Sequence, residues 1–193
     1  MYSISFGKKN PVAVCKVKDL ATKKFVPVKM YEYDCKDIED IQEVENLPNS
    51  FGFKQAIANE MRTKKAAWEK YSLNTGVSYY VMQDGNNNVL GIASVNISEN
   101  TNGVKFIQTS QNSTHKYIGQ TMLAALSKLT MNDGKEKFEI SFPTDDAMGF
   151  YIYKCGFKHG DNFYSLEMSP KEMKKFVFKT QMKTRSPIVD IRC

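Results

Sequence analysis

The sequence predicts a single α/β (α+β) domain, and three observations carry that expectation. β-leaning runs alternate with stretches of helical apolar spacing through most of the 193 residues. Two β-rich runs flank Asp84-Gly85 and three asparagines, the pattern of a hairpin. No repeat, low-complexity tract or convincing linker divides the chain.

Taken in order, 12–17 and 25–33 are β-leaning stretches joined by a polar link, an opening hairpin or strand pair. Asp34 or Asp37 would cap a short helix over DIEDIQEVENL, which PNSFG ends. A longer helix over 53–71 would present Ile57, Met61, Ala67, Trp68 and Tyr71 as an approximate apolar face. The hairpin around Asp84-Gly85 follows, and NGVKFIQTS adds a strand. Met122, Leu123, Leu126 and Leu129 then mark a helix. KFEISF reads as a strand with Phe138, Ile140 and Phe142 alternating on one face. DDAMGFYIYKCGF is a short helix stopped by Gly156, NFYSLEM a closing strand, and a basic helical tail comes last. In that tail Met173, Phe176, Val177 and Met182 predict packing on the domain, in preference to a nucleic-acid patch.

Composition narrows the function classes. At 41% hydrophobic, 12% aromatic and 25% charged, the chain reads as an ordinary globular protein. No apolar run approaches the roughly 20 residues that span a bilayer. The N-terminus lacks a charged-then-apolar signal layout, so a cytoplasmic location is the default expectation and no membrane partner is expected. Cys15, Cys35, Cys155 and Cys193 are scattered without a CxxC pair, and His115 and His159 are the sole histidines, so reduced structural thiols and no metal are expected. The net charge of +6 favours an anionic partner without specifying one.

THKYIGQTML carries the first chemical signal. A strand running through a turn into a helix exposes backbone N–H groups that have no partner within the helix, and the helix dipole adds positive potential there. Gly119 would let a ligand approach the backbone, and Lys116, Gln120 and Thr121 would add donors to phosphate oxygens. By itself the turn reads as a plain helix start, since glycine is common there.

Two motifs in sequence, over roughly Phe25 to Met168, resemble the GCN5-related N-acetyltransferase (GNAT) superfamily. The family's phosphate turn reads Arg or Gln, two residues, Gly, one residue, then Gly or Ala. Here Gly119 takes the last position, Thr114 the first, and Tyr117 stands where the first Gly is usual. The family's Asn-xx-Ala-xx-Phe-Tyr-x-Lys-x-Gly-Phe segment is matched by DDAMGFYIYKCGF with a one-residue difference in length. Counting from Ala147 places Phe-Tyr on Phe150-Tyr151, whereas counting back from Gly156-Phe157 places the tyrosine on Ile152. Either the helix carries an extra residue as a bulge, or the usual tyrosine is missing.

The resemblance implies a mixed, mostly antiparallel central sheet flanked by helices, here with a basic C-terminal helical extension. It divides the chain into a core over 25–168, an N-terminal strand extension over 1–24 and a tail over 169–193. It implies transfer of an acetyl group from acetyl-CoA to a primary amine. The backbone of Ile107, Gln108 and Thr109 would hold the pantetheine arm and polarise the thioester. Lys116, Tyr117, Ile118, Gly119, Gln120 and Thr121 would surround the pyrophosphate, with Asp145 near the family's cofactor-contacting Asn. Tyr151, then Tyr153, are candidates for the acid that protonates the departing thiolate. Glu139 on the adjacent strand and His115 in the turn read as a surface residue and a turn residue rather than as the base. Asp40, Glu43 and Glu45 would either receive a cationic amine or form a solvated helix face. Acceptors left open are a small amine, a peptide N-terminus, a lysine and an aminoacyl-tRNA; dimers are frequent in the superfamily. Competing readings are a CoA-binding module of the same fold with little turnover, and nucleic-acid recognition through the basic tail.

Overall fold

The computed structural model describes residues 10–72, 76–111, 113–160 and 164–192; Cys193 lies outside them. The opening hairpin is β1 (Ala13–Asp19) and β2 (Phe25–Tyr33). The helices α1 (Ile38–Glu45) and α2 (Lys54–Tyr71) follow, then β3 (Val77–Asp84), β4 (Val89–Ile97), β5 (Thr101–Thr109) and the short β6 (His115–Lys116). Next come α3 (Ile118–Asn132), β7 (Lys137–Ser141), α4 (Asp145–Gly149), a π turn over Phe150–Cys155, β8 (Lys158–His159) and β9 (Ser165–Met168). The described chain closes with α5 (Pro170–Thr184) and β10 (Val189–Asp190).

Local chemistry accounts for several of these boundaries. The Asp37 side chain accepts the N–H of Glu39 and caps α1. Ser169 and Glu172 form a reciprocal capping box at the start of α5, with Pro170 at its first position. Gly156 adopts φ +89 and ends the π turn in a left-handed conformation that glycine reaches without strain.

The sheet order is β10-β1-β2-β3-β4-β5-β7-β9-β8, with β6 paired to β1 off that path. Each described pairing is antiparallel except β5 with β7. The first and last described strands are neighbours in this sheet, because β10 pairs with β1. Helices cover both faces. One core lies under α1 and α2, where Ile41, Val44, Ile57 and Met61 meet Tyr79, Val81 and Ile92. The other surrounds α3, which is apolar nearly all round because it is sandwiched between the sheet and α5. Met122, Leu123, Leu126 and Leu129 are all buried there, each burial favouring the fold by about 1.5–3 kcal/mol.

Three expectations of burial fail. Tyr71 and Trp68 are exposed, because α2 packs through Ile57, Ala58 and Met61, all in its N-terminal half. Met182 is exposed on the outer face of α5, whose packing residues are Met173, Phe176, Val177, Thr180 and Thr184. Phe142 falls just beyond β7 with φ +53, and its side chain leaves the strand face. Among the described residues, no helix is long and apolar enough to cross a membrane.

Candidate functional site

The parallel ladder between β5 and β7 runs from Thr101↔Lys137 to Val104↔Ile140 and then stops. Two features separate the strands beyond that point. In the β4–β5 ladder, Ser94 faces Phe106 and Val95 faces Val104, so Lys105 is an extra residue, a bulge that bends β5. On the other side β7 ends at Ser141. The 105–109 stretch therefore presents an edge with no described strand beside it.

The turn into α3 is held by the N-terminal hairpin. β6 pairs with the end of β1 through Lys18↔Lys116 and Asp19↔His115, and the Leu20 N–H donates to the Thr114 carbonyl at 2.8 Å. Tyr117 is the N-cap of α3 at φ 72, ψ 12. That left-handed conformation costs a non-glycine residue about 1–3 kcal/mol. The position where the family pattern carries glycine thus keeps a glycine-like backbone while bearing a phenol. The Tyr117 carbonyl accepts the N–H of Thr121 at 2.8 Å, and no side chain caps the helix. The N–H groups of Ile118, Gly119 and Gln120 precede that first intrahelical bond and face outward at the positive end of the dipole.

A cleft of about 860 Å³ opens at this helix end. Ile107, Gln108 and Thr109 line it, as do Lys116, Tyr117, Ile118, Gly119 and Gln120. A Cβ added to Gly119 would stand 3.5 Å from Thr109 Cγ2, an ordinary contact, so the fold does not itself require glycine there. The Gln108 side chain is committed elsewhere: its Oε1 accepts the Phe53 N–H at 2.9 Å, tying the loop between α1 and α2 to β5. Gln120 is likewise held by α5, donating to Thr180 Oγ1 at 3.4 Å and accepting from Lys183 Nζ at 3.4 Å.

Two expected cofactor contacts lie outside this lining. Thr121 is fully buried on the inner face of α3, so its hydroxyl cannot reach a ligand at the helix end. Asp145 is exposed in the first turn of α4. Conversely, Lys154 and Lys183 line the cleft beside Lys116, giving it three cationic side chains. Lys154 occupies the lysine position of the second motif. Lys183 belongs to the basic tail, and nothing local to its sequence indicates that α5 packs against α3.

The one-residue length difference resolves into the π turn. The Gly156 N–H donates to the Tyr151 carbonyl at 2.9 Å and to that of Ile152 at 3.1 Å, which accommodates the surplus residue within the helix. Tyr151 thereby turns inward and lines the cleft, whereas Tyr153 is 84% exposed and is not part of that lining. Burial pushes the Tyr151 phenol up, with the neighbouring Cys155 adding to the shift, so the hydroxyl keeps its proton near neutral pH. Burial raises Cys155 to about 12 against an opposing contribution from Lys183, leaving a protonated thiol. Cys15, Cys35 and Cys155 are all buried.

A second cleft, of about 340 Å³, fills the gap between β5 and β7 and shares Ile107 and Tyr151 with the first. Glu139 does not line it but accepts the hydroxyl of Ser141, which does, at 3.2 Å. His115 lines the first cleft, with Nε2 3.8 Å from Asp19 Oδ2 and Nδ1 3.4 Å from Ser113 Oγ. Asp40, Glu43 and Glu45 line neither cleft. Asp40 is buried and accepts the Asp34 N–H at 2.7 Å, and Glu45 pairs with Arg62 at 2.5 Å. Among the described residues no cluster of His, Cys, Asp and Glu could hold a metal ion.

The sequence matches no family model and no curated protein. Solved structures with the same architecture are numerous. The PaiA N-acetyltransferase of Thermoplasma acidophilum, in complex with coenzyme A, is 17% identical with a TM-score of 0.52 over 74% of this chain and 98% of its own. A GNAT-family protein of Desulfovibrio desulfuricans is 13% identical with a TM-score of 0.56, covering 74% and 99%. A chimera of spermidine N-acetyltransferase SpeG from Vibrio cholerae and hSSAT is 12% identical with a TM-score of 0.54, covering 76% and 98%. With its interrupted β5–β7 ladder and the end of α3 beside the gap, the chain has the fold of the GCN5-related N-acetyltransferases.

Proposed function

We propose that this protein is an N-acetyltransferase that transfers the acetyl group of acetyl-CoA to a primary amine. The observation that carries the reading is the parting of β5 from β7 beyond Val104, directly beside the uncapped end of α3. The donor set suits a diphosphate: the amides of 118–120 together with Lys116, Lys154 and Lys183. The free edge of 105–109 suits an extended pantetheine arm, since backbone donors there need no side chain. Coenzyme A in the complex of the Thermoplasma protein, which shares the fold, supports the same ligand class.

Acetyl-CoA would supply the acetyl group activated as a thioester. The amine nitrogen bonds to the acetyl carbon as the carbon–sulfur bond breaks, and sulfur leaves with the electron pair. Of the two protons that an ammonium sheds, one balances the sulfur and one goes to solvent. The β5 amides beside Ile107 would stabilise negative charge on the carbonyl oxygen. Tyr151, protonated and at the junction of the two clefts, would deliver the proton to sulfur.

Tyr117 favours a second reading, a CoA-binding module with little turnover, because its ring stands at the helix end where glycine is usual. Isothermal titration with acetyl-CoA, with dephospho-CoA and ATP as controls, tests both when paired with an amine-acetylation assay. Micromolar binding with turnover supports the transferase, and binding without turnover supports the module. Absence of binding removes both.

A further inference from the structure

We infer that the acceptor taken in between β5 and β7 is a monoamine with an aromatic or alkyl body and not a polyamine. This inference rests on the proposed acetyl transfer. The cleft lies at the right place because it meets the α3 cleft at Ile107 and Tyr151. It also passes through the sheet: Phe106 packs with the core under α1 and α2, whereas Val104, Ile140 and Tyr151 belong to the core around α3. An amine entering from the α1–α2 side would arrive opposite the arm bearing the thioester.

The walls define the class of molecule. Phe53 and Phe106 lie with ring centroids 5.4 Å apart on one side. On the other, Phe142 is 76% exposed and stacks on Tyr164 at 5.8 Å. Phe142 holds this place at φ +53 while its N–H donates to the Tyr164 carbonyl at 2.8 Å. A phenylalanine kept in a left-handed conformation with its ring in solvent is costly on two counts, and such outliers concentrate at ligand sites. An apolar body would cover these rings.

Charge excludes the alternative. Among the described residues lining this cleft there is no Asp or Glu. Its one lysine, Lys105, is matched by an ion pair with Glu60. Besides Glu60, whose charge Lys105 matches, the carboxylate connected to the cleft is Glu139, reached through the Ser141 hydroxyl at 3.2 Å. That provides for one ammonium, while a second or third would enter an aromatic passage without a counter-charge.

The test compares 2-phenylethylamine with spermidine as acceptors for the full chain, alongside titration with acetyl-CoA. The expected result is a kcat/KM for 2-phenylethylamine at least about tenfold above that for spermidine. Phe142→Ser and Phe53→Ser, both at partly exposed positions, should lower the 2-phenylethylamine value by a similar factor with acetyl-CoA affinity unchanged. Equal or better use of spermidine overturns the inference and leaves the transferase standing. Acetyl-CoA binding with turnover of neither amine also overturns it. Absence of acetyl-CoA binding removes the transferase reading itself.

Discussion

The amide of Gly156 donates to the carbonyl of Tyr151 at 2.9 Å, a span of five residues in place of the four of an α-helix. That bond reconciles the two ways of counting the second motif. The surplus residue between Ala147 and Gly156 is taken up by the π turn, and Tyr151 takes the inward position.

Tyr151→Phe should therefore lower kcat by about a hundredfold with acetyl-CoA affinity unchanged. Tyr153→Phe should alter neither quantity, since its ring is in solvent. Steady-state kinetics with titration of each variant checks both, and full turnover in Tyr151→Phe would sink the acid assignment.

The α3 seat makes opposite predictions for two neighbouring positions. Tyr117→Gly relieves the left-handed strain and clears the helix end, so acetyl-CoA should bind more tightly at little cost in stability, strain relief offsetting the added chain entropy. Gly119→Ala should fold normally, its Cβ meeting Thr109 at ordinary contact distance, yet bind acetyl-CoA more weakly. Thermal unfolding combined with titration separates fold from seat.

Lys183 ties the C-terminal helix to the same cleft. Lys183→Glu should weaken acetyl-CoA binding by about tenfold at low salt, and the loss should shrink as salt rises. Phe176→Ala, by contrast, should destabilise the whole domain by about 3–5 kcal/mol, because that ring is buried between α5 and α3. A deletion of 169–193 would thus remove core packing as well as charge, so charge reversal at exposed lysines is the cleaner test of nucleic-acid binding.

Glu172 sets an acid limit on α5. Its hydrogen bond from Lys158, with the Ser169 contacts of the capping box, holds the carboxyl at about 2 against an ordinary value of 4.5. A depressed carboxylate stabilises the fold above its unfolded pKa, and the contribution is lost as pH falls from about 4.5 to about 2. Glu172→Ala should lower the melting temperature at pH 7, and its difference from the wild type should shrink across that window. A difference that stays constant down to pH 2 would rule out ionisation as its source.

The sequence by itself determined the elements and the two motifs. The β-leaning run 25–33, a cap at Asp34 or Asp37, Asp84-Gly85 between β runs and Leu spacing in α3 are local signals, set by backbone geometry within a few residues. It also located the turn before Gly119, because an exposed helix end follows from strand-to-helix order alone. What only the tertiary structure decided depends on which surfaces meet. Its place at the helix start put Thr121 near a ligand that its burial against the sheet keeps out of reach, and alternation assigned Phe142 to a strand face that the chain leaves. Lys183 reaches the cleft because α5 packs on α3, a contact across more than sixty residues that leaves no trace in local spacing. The choice between Tyr151 and Ile152 required the π turn, since a one-residue insertion is absorbed by hydrogen bonds that only the packed helix reveals.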